Sequence, residues 1–155
     1  IETKYWIEYI CKRFENTGKH ISPELAEEIC RLVDNHSSYV QQLSWLLWIR
    51  TINTATTEQL TYALEDLLDQ NNILFQSETE NLSAYQMNFL KAIVDGIHTK
   101  FSSKEVISKY NLGTSANIVR LKNALLQKEL IETNGKEIVL ADPVFGVWFK
   151  KEMLY

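Results

Sequence analysis

Between Ser102 and Leu140 the chain carries, in order, a short helical segment, a tight turn, a longer helical segment and two extended segments around Asn134-Gly135, an order that few folds accept. Ser102-Ser103-Lys104-Glu105 has capping-box spacing, in which a serine and an acidic residue three positions on satisfy two orphan amides. A short helix from Lys104 to Tyr110 is predicted there, followed by an Asn111-Leu112-Gly113 turn. Thr114-Ser115 starts a longer helix with Ile118, Leu121, Leu125 and Leu126 at helical spacing. Leu130 to Thr133 and Lys136 to Leu140 then flank Asn134-Gly135, the dipeptide that best supplies the positive φ angles of a two-residue hairpin loop. Upstream, Ser83-Ala84-Tyr85-Gln86 opens another helix, burying Met87, Leu90, Ile93, Val94 and Ile97. Three helices followed by a hairpin predict a winged helix-turn-helix domain over 83–155.

The first half follows helical periodicity alone. Trp6, Ile7, Ile10, Cys11 and Phe14 form one face of a first helix. Ser22-Pro23-Glu24 supplies an N-cap, a first-position proline and an acidic first turn to a second, which buries Leu25, Ala26, Ile29, Cys30 and Val33. From Tyr39 to Ile52 apolar side chains nearly surround a third helix, so it must be central to its bundle or covered by something else. Thr56-Thr57-Glu58-Gln59 starts a fourth, through Leu60, Ala63, Leu64, Leu67 and Leu68. The fold class expected is therefore mainly α: a four-helix bundle over 1–76, a linker over 77–82, then the winged helix with its small β-hairpin. Charge changes at the same place. Residues 1–82 hold 6 Lys and Arg against 13 Asp and Glu, and residues 83–155 hold 10 against 7.

Several classes of function fall away. The five glycines lie too far apart to write GxxxxGK[ST] or GxGxxG, so these residues contain no phosphate-cradling loop. No apolar run reaches the ~18 residues of a membrane span, and no membrane partner is expected. The first residue is Ile, from which an excised piece of a longer protein is expected. Cys11 and Cys30 have neither zinc-ligand nor redox spacing and fit buried thiols in a reducing, cytoplasmic setting, with a bridge between neighbouring helices as the alternative. His20, His36 and His98 fall in separate elements, so no metal site is expected. Paired acids such as Glu27-Glu28 and Glu65-Asp66 are adjacent on helix faces rather than converging, and no catalytic residue is assigned.

Two surfaces remain as candidates. Lys104, Ser115, Asn117, Arg120, Lys122 and Lys136 can project from the helix-turn-helix and wing, toward nucleic acid or a protein partner. Glu105, Glu129, Glu132 and Glu137 dilute that cationic rim, and both kinds of partner stay open. Asn35, His36 and Ser37 lie where one helix ends and the most apolar one begins. Backbone amides at such a helix start suit an anion, or simply a cap by Asn35 or Ser37.

The stretch from Phe14 through Ile21-Ser22-Pro23-Glu24 to Asn35-His36-Ser37-Ser38-Tyr39-Val40-Gln41-Gln42-Leu43 resembles the helical lid of an AAA+/STAND-type ATPase. The group it is most similar to is the archaeal-type ATPases also abundant in Bacteroides-like bacteria. Ser103-Lys104-Glu105, Tyr110 to Asn117, Lys128-Glu129-Leu130-Ile131, Asp142-Pro143-Val144-Phe145 and Trp148 resemble the winged helix that closes those proteins. The resemblance implies a non-catalytic C-terminal region, with ATP and Mg²⁺ bound by an N-terminal P-loop core lying upstream and no cofactor in these residues. It implies that Asn35, His36 and Ser37 approach the nucleotide, with Ser37 standing where the family pattern commonly has Pro. The alternative from the residues is a DNA-binding winged-helix regulator with a helical sensing or dimerisation domain. A homo-oligomer stays open in both readings.

Overall fold

The computed structural model describes residues 1–154, which form two compact units, residues 1–72 and residues from 73 onward. The first unit contains α1 (Thr3–Glu15), α2 (Pro23–Leu32), α3 (Ser37–Arg50) and the start of α4 (Thr57–Glu80). Trp6, Ile10 and Phe14 recur every fourth residue and form the buried stripe of α1. Ser22 Oγ accepts from the Leu25 amide at 3.1 Å, with Pro23 in the first helical position where its missing N–H costs nothing. At the start of α4, Thr56 Oγ1 accepts from Gln59 N at 3.2 Å and Gln59 Oε1 accepts from Thr56 N at 3.0 Å, a reciprocal capping box. The two connections are tied together by main chain: His20 N donates to Asn53 O, and Ala55 N donates to His20 O, each at 2.8 Å.

Ile29, Val33, Val40, Leu43, Leu47, Ala63 and Leu67 have no solvent exposure and make up the centre of this unit. Helix α3 is not surrounded. Val40, Leu43, Leu46 and Leu47 are buried, while Trp45 is 58% and Ile49 50% exposed, and Ile52 just beyond the helix is 82% exposed. Helix α3 is therefore not central to its own unit, and a cover for its outer face would have to come from outside that unit.

The second unit starts within α4, which runs on through the polar Gln76 to Glu80. It continues with α5 (Ala84–Val94), α6 (Lys104–Tyr110), α7 (Ser115–Gln127), β1 (Ile131–Asn134), β2 (Glu137–Leu140) and α8 (Pro143–Met153). The expected mainly helical architecture with one small antiparallel hairpin is present. Residues 77–80 of the linker expected over 77–82 are thus helical, and four further details differ from the sequence reading. Ser103, not Ser102, caps α6, accepting from Val106 N at 3.3 Å; the third helical position is Val106, which cannot reciprocate. In α5 Phe89 and Ala92 join Leu90 and Ile93 on the buried face, with Phe89 stacked on Phe101 at 4.5 Å between ring centroids, while Met87, Val94 and Ile97 are half-buried.

In the hairpin, Asn134 pairs with Glu137, so the loop is Gly135-Lys136. Only Gly135 has positive φ there, +64°, the pattern of a turn with Gly at its first central position. The fourth difference is α8. Asp142 Oδ1 accepts from Val144 N and Phe145 N at 2.9 and 3.2 Å with Pro143 behind it, the same device as Ser22-Pro23. Helix α8 brings Phe145 and Trp148 to within 5.4 and 5.6 Å of Phe75, centroid to centroid. The His98 main chain also joins the hairpin: Ile138 N donates to His98 O at 2.9 Å, and His98 Nδ1 donates to Ile138 O at 3.0 Å.

Phe75 is wholly buried against these two rings, so Phe75→Ala should cost about 3–5 kcal/mol in denaturant unfolding of the second unit. One helical turn on, burial and then the Asp142 carboxylate push the Glu78 carboxyl above the ordinary range. The folded state therefore holds this proton more tightly than the unfolded chain. The stability linked to it is present at acid pH and is lost as pH rises from the ordinary carboxylate range through the raised value. Glu78→Gln should raise the melting temperature at neutral pH, and the gain should vanish below about pH 4.

Candidate functional site

At the junction of α2 and α3, Asp34 and Asn35 are both left-handed, with φ of +49° and +56°, conformations that short Asx side chains tolerate best. The Asn35 amide N donates back to Cys30 O at 2.9 Å, closing α2. The Asn35 side chain turns to α1, where Nδ2 donates to Thr3 Oγ1 at 2.8 Å, and its buried Oδ1 has no partner. Residue 36 is the N-cap of α3, with no side-chain cap, and its ring lies 4.7 Å from that of Tyr39. Neither Asn35 nor Ser37 caps the helix as the plainer sequence reading expected, because Asn35 is engaged with Thr3 and Ser37 is already the first helical residue. The exposed Ser37 and Ser38 amides thus receive no side-chain cap, and there the positive end of a 14-residue helix can receive an anion.

The helix-turn-helix is held by its own turn. Asn111 and Gly113 take φ of +53° and +87°, Asn88 Nδ2 donates to Asn111 O at 3.1 Å, and Asn117 Nδ2 donates to Leu112 O at 3.0 Å. Asn117 is therefore half-buried and committed to the turn. Lys104 and Ser115, the first residues of α6 and α7, are exposed, as are Arg120 on α7 and Lys136 in the hairpin loop, while Lys122 is half-buried. Among the described residues Lys104, Arg120, Lys122 and Lys136 form no ion pair. Arg120 lines a hollow of about 230 Å³ with Tyr85, Gly113, Thr114, Ala116 and Asn117. The exposed strip of α7 also includes Ala116 and Val119, which sequence reasoning passed over; Val119 is 63% exposed and stands one turn after Ser115. The signal was available, since 115, 119 and 123 share a helix face.

No group of three or more His, Cys, Asp or Glu among the described residues could hold a metal ion. Burial pushes the Cys11 and Cys30 thiols up, so neither is an activated nucleophile. No helix among the described residues is long and apolar enough to cross a membrane.

Helices α5 to α7, the hairpin and the closing helix define a winged-helix protein. The family model described as "Probable winged helix domain" matches residues 73–151, just over half of the chain, and the chain belongs to that family. In fold the chain is similar to the Walker-type ATPase PABY2304 of Pyrococcus abyssi, with a TM-score of 0.71 and 18% identity over 97% of this chain and 42% of that one. The chain thus spans less than half the length of that protein. No curated protein matches it.

Proposed function

We propose that the chain is the C-terminal lid and winged-helix region of a P-loop ATPase of the AAA+/STAND type, in the archaeal-type group that Bacteroides-like bacteria also carry. The nucleotide state of an upstream core sets the lid and, through it, the surface that the winged helix offers a partner. The supporting observation is the fold likeness: nearly the whole chain follows a Walker-type ATPase, and more than half of that protein lies outside the matched part. In this reading ATP and Mg²⁺ sit in the core of a cytoplasmic parent ATPase. The start of α3, at Asn35, His36 and Ser37, faces them; the Ser37 amide is the donor there, since the Asn35 and His36 amides donate to Cys30 O and Val33 O. These residues supply binding and no catalytic group.

Titration with ATP and Mg²⁺ tests the assignment. The 155-residue chain should not hydrolyse ATP, and the parent chain should bind it. Hydrolysis by the 155-residue chain, or a parent that binds no nucleotide, would contradict the proposal.

A second reading, a DNA-binding regulator with a helical sensing or dimerisation domain, is favoured by the unpaired cations Lys104, Arg120, Lys122 and Lys136. It predicts salt-dependent binding to duplex DNA. Arg120→Ala with Lys122→Ala should weaken that binding and flatten the dependence of log K on log salt by about 0.9 for each phosphate no longer neutralised. Absence of binding at low salt would exclude DNA and leave the winged helix as a protein-docking surface, whose capture of a partner should survive the same substitutions.

A further inference from the structure

Between α1 and α3 lies a groove of about 560 Å³, within the roughly 300–1,000 Å³ of small-molecule sites. Its floor is Ile10 and Phe14, both buried, and its walls carry the rings of Tyr9, Trp45 and Trp48. The Trp48 wall is fixed before any ligand arrives. Trp48 Nε1 donates to Thr17 Oγ1 at 2.8 Å, Thr17 Oγ1 donates to Phe14 O at 2.9 Å, and Lys19 Nζ donates to Trp48 O at 2.8 Å. A wall held in this way loses little freedom on binding. Trp45, opposite in character, is 58% exposed and Tyr9 45%, a large amount of aromatic surface to leave against water.

Charge decides what the groove takes. Residues 1–72 hold 6 Lys and Arg against 11 Asp and Glu, yet no carboxylate lines the groove. Lys4, Arg31 and Arg50 pair with acids elsewhere. Arg13 and Lys19 lie instead over the groove's own rings, the Arg13 guanidinium 5.7 Å from the Tyr9 centroid and the Lys19 ammonium 4.0 Å from the Trp48 centroid. Aromatic walls alone would suit a cationic ligand, but here two rings already carry a cation, so a second would meet like charge. An anion meets the free donors of Arg13, with the Gln41 and Gln42 amides also at the rim.

We propose that this groove binds a planar aromatic anion of small-molecule size, its ring system against Tyr9, Trp45 and Trp48 and its carboxylate or sulfonate on Arg13. The site is separate from the nucleotide and winged-helix surfaces of the functional reading and does not depend on it.

The test is a fluorescence titration of the chain with anilinonaphthalene sulfonate, with its uncharged analogue phenylnaphthylamine and with a cationic aromatic dye. The sulfonate should saturate one site with energy transfer from tryptophan. Arg13→Gln should weaken the sulfonate about tenfold, as expected for one charge-assisted hydrogen bond, and leave the neutral probe unchanged. Trp45→Ala should weaken both. Arg13 is exposed and pairs with no acid, so its variant should melt as the parent does and decides the matter by itself if Trp45→Ala misfolds. Equal sulfonate affinity in Arg13→Gln, binding without saturation, or tighter binding of the cationic dye would overturn the proposal.

Discussion

Helix α3 carries apolar side chains on more of its circumference than its own bundle can cover, and much of the chain's behaviour follows from that surplus. Val40, Leu43 and Leu47 are fully buried and hold the first unit together, leaving Trp45 and Ile49 outward at half exposure or more. A helix of this kind is held by its packed side, and the other side remains exposed apolar surface. The same helix starts without a side-chain cap, so its positive end is available too. One element thus presents an electrostatic and an apolar surface, while α1, α2 and the His20 bridge to Asn53 and Ala55 keep it in place.

The second unit depends on a different economy. Two four-residue strands are too little to stand alone in water. Ile131 and Ile138 turn inward, His98 extends the main-chain bonding by one residue, and α8 covers the core with Val144, Phe145, Trp148 and Phe149. Phe75, arriving on α4, completes that aromatic cluster. Helix α7 is thereby free to expose Ser115, Val119 and Arg120 without a stabilising duty on its outer face. Its mixture of apolar and basic groups suits protein contact as well as phosphate.

Features encoded within a few residues were legible in the sequence. Ser22-Pro23, Thr56 with Gln59, and Ser83 with Gln86 each form the cap that their spacing predicts, and α6 runs from Lys104 to Tyr110 as its pattern suggests. Asp142-Pro143 carries the same signal as Ser22-Pro23 but precedes a short apolar run at the chain's end, so periodicity alone left α8 undrawn. The polar residues Gln76 to Glu80 look like a connection because only Thr79 of that stretch is buried; in the structure they are helical. The hairpin loop moved by one residue because a single positive φ at Gly135 suffices, which composition cannot distinguish from a loop centred on Asn134-Gly135. The groove between α1 and α3 was not legible at all. Its cations and rings come from positions 9, 13, 19 and 48, brought together by helix packing and by side-chain bonds such as that from Trp48 to Thr17.

The central claim, that these residues are a lid whose first α3 turn answers to nucleotide in an upstream core, is tested most directly by hydrogen exchange in the parent chain with and without ATP and Mg²⁺. The amides of Ser37 and Ser38 precede the first intrahelical bond, which Val40 N makes to His36 O at 2.8 Å, and should exchange rapidly without nucleotide. Bound nucleotide should slow them, while the fully buried centre of the unit is unchanged. Nucleotide binding that leaves the exchange of these two amides unaltered would contradict the claim.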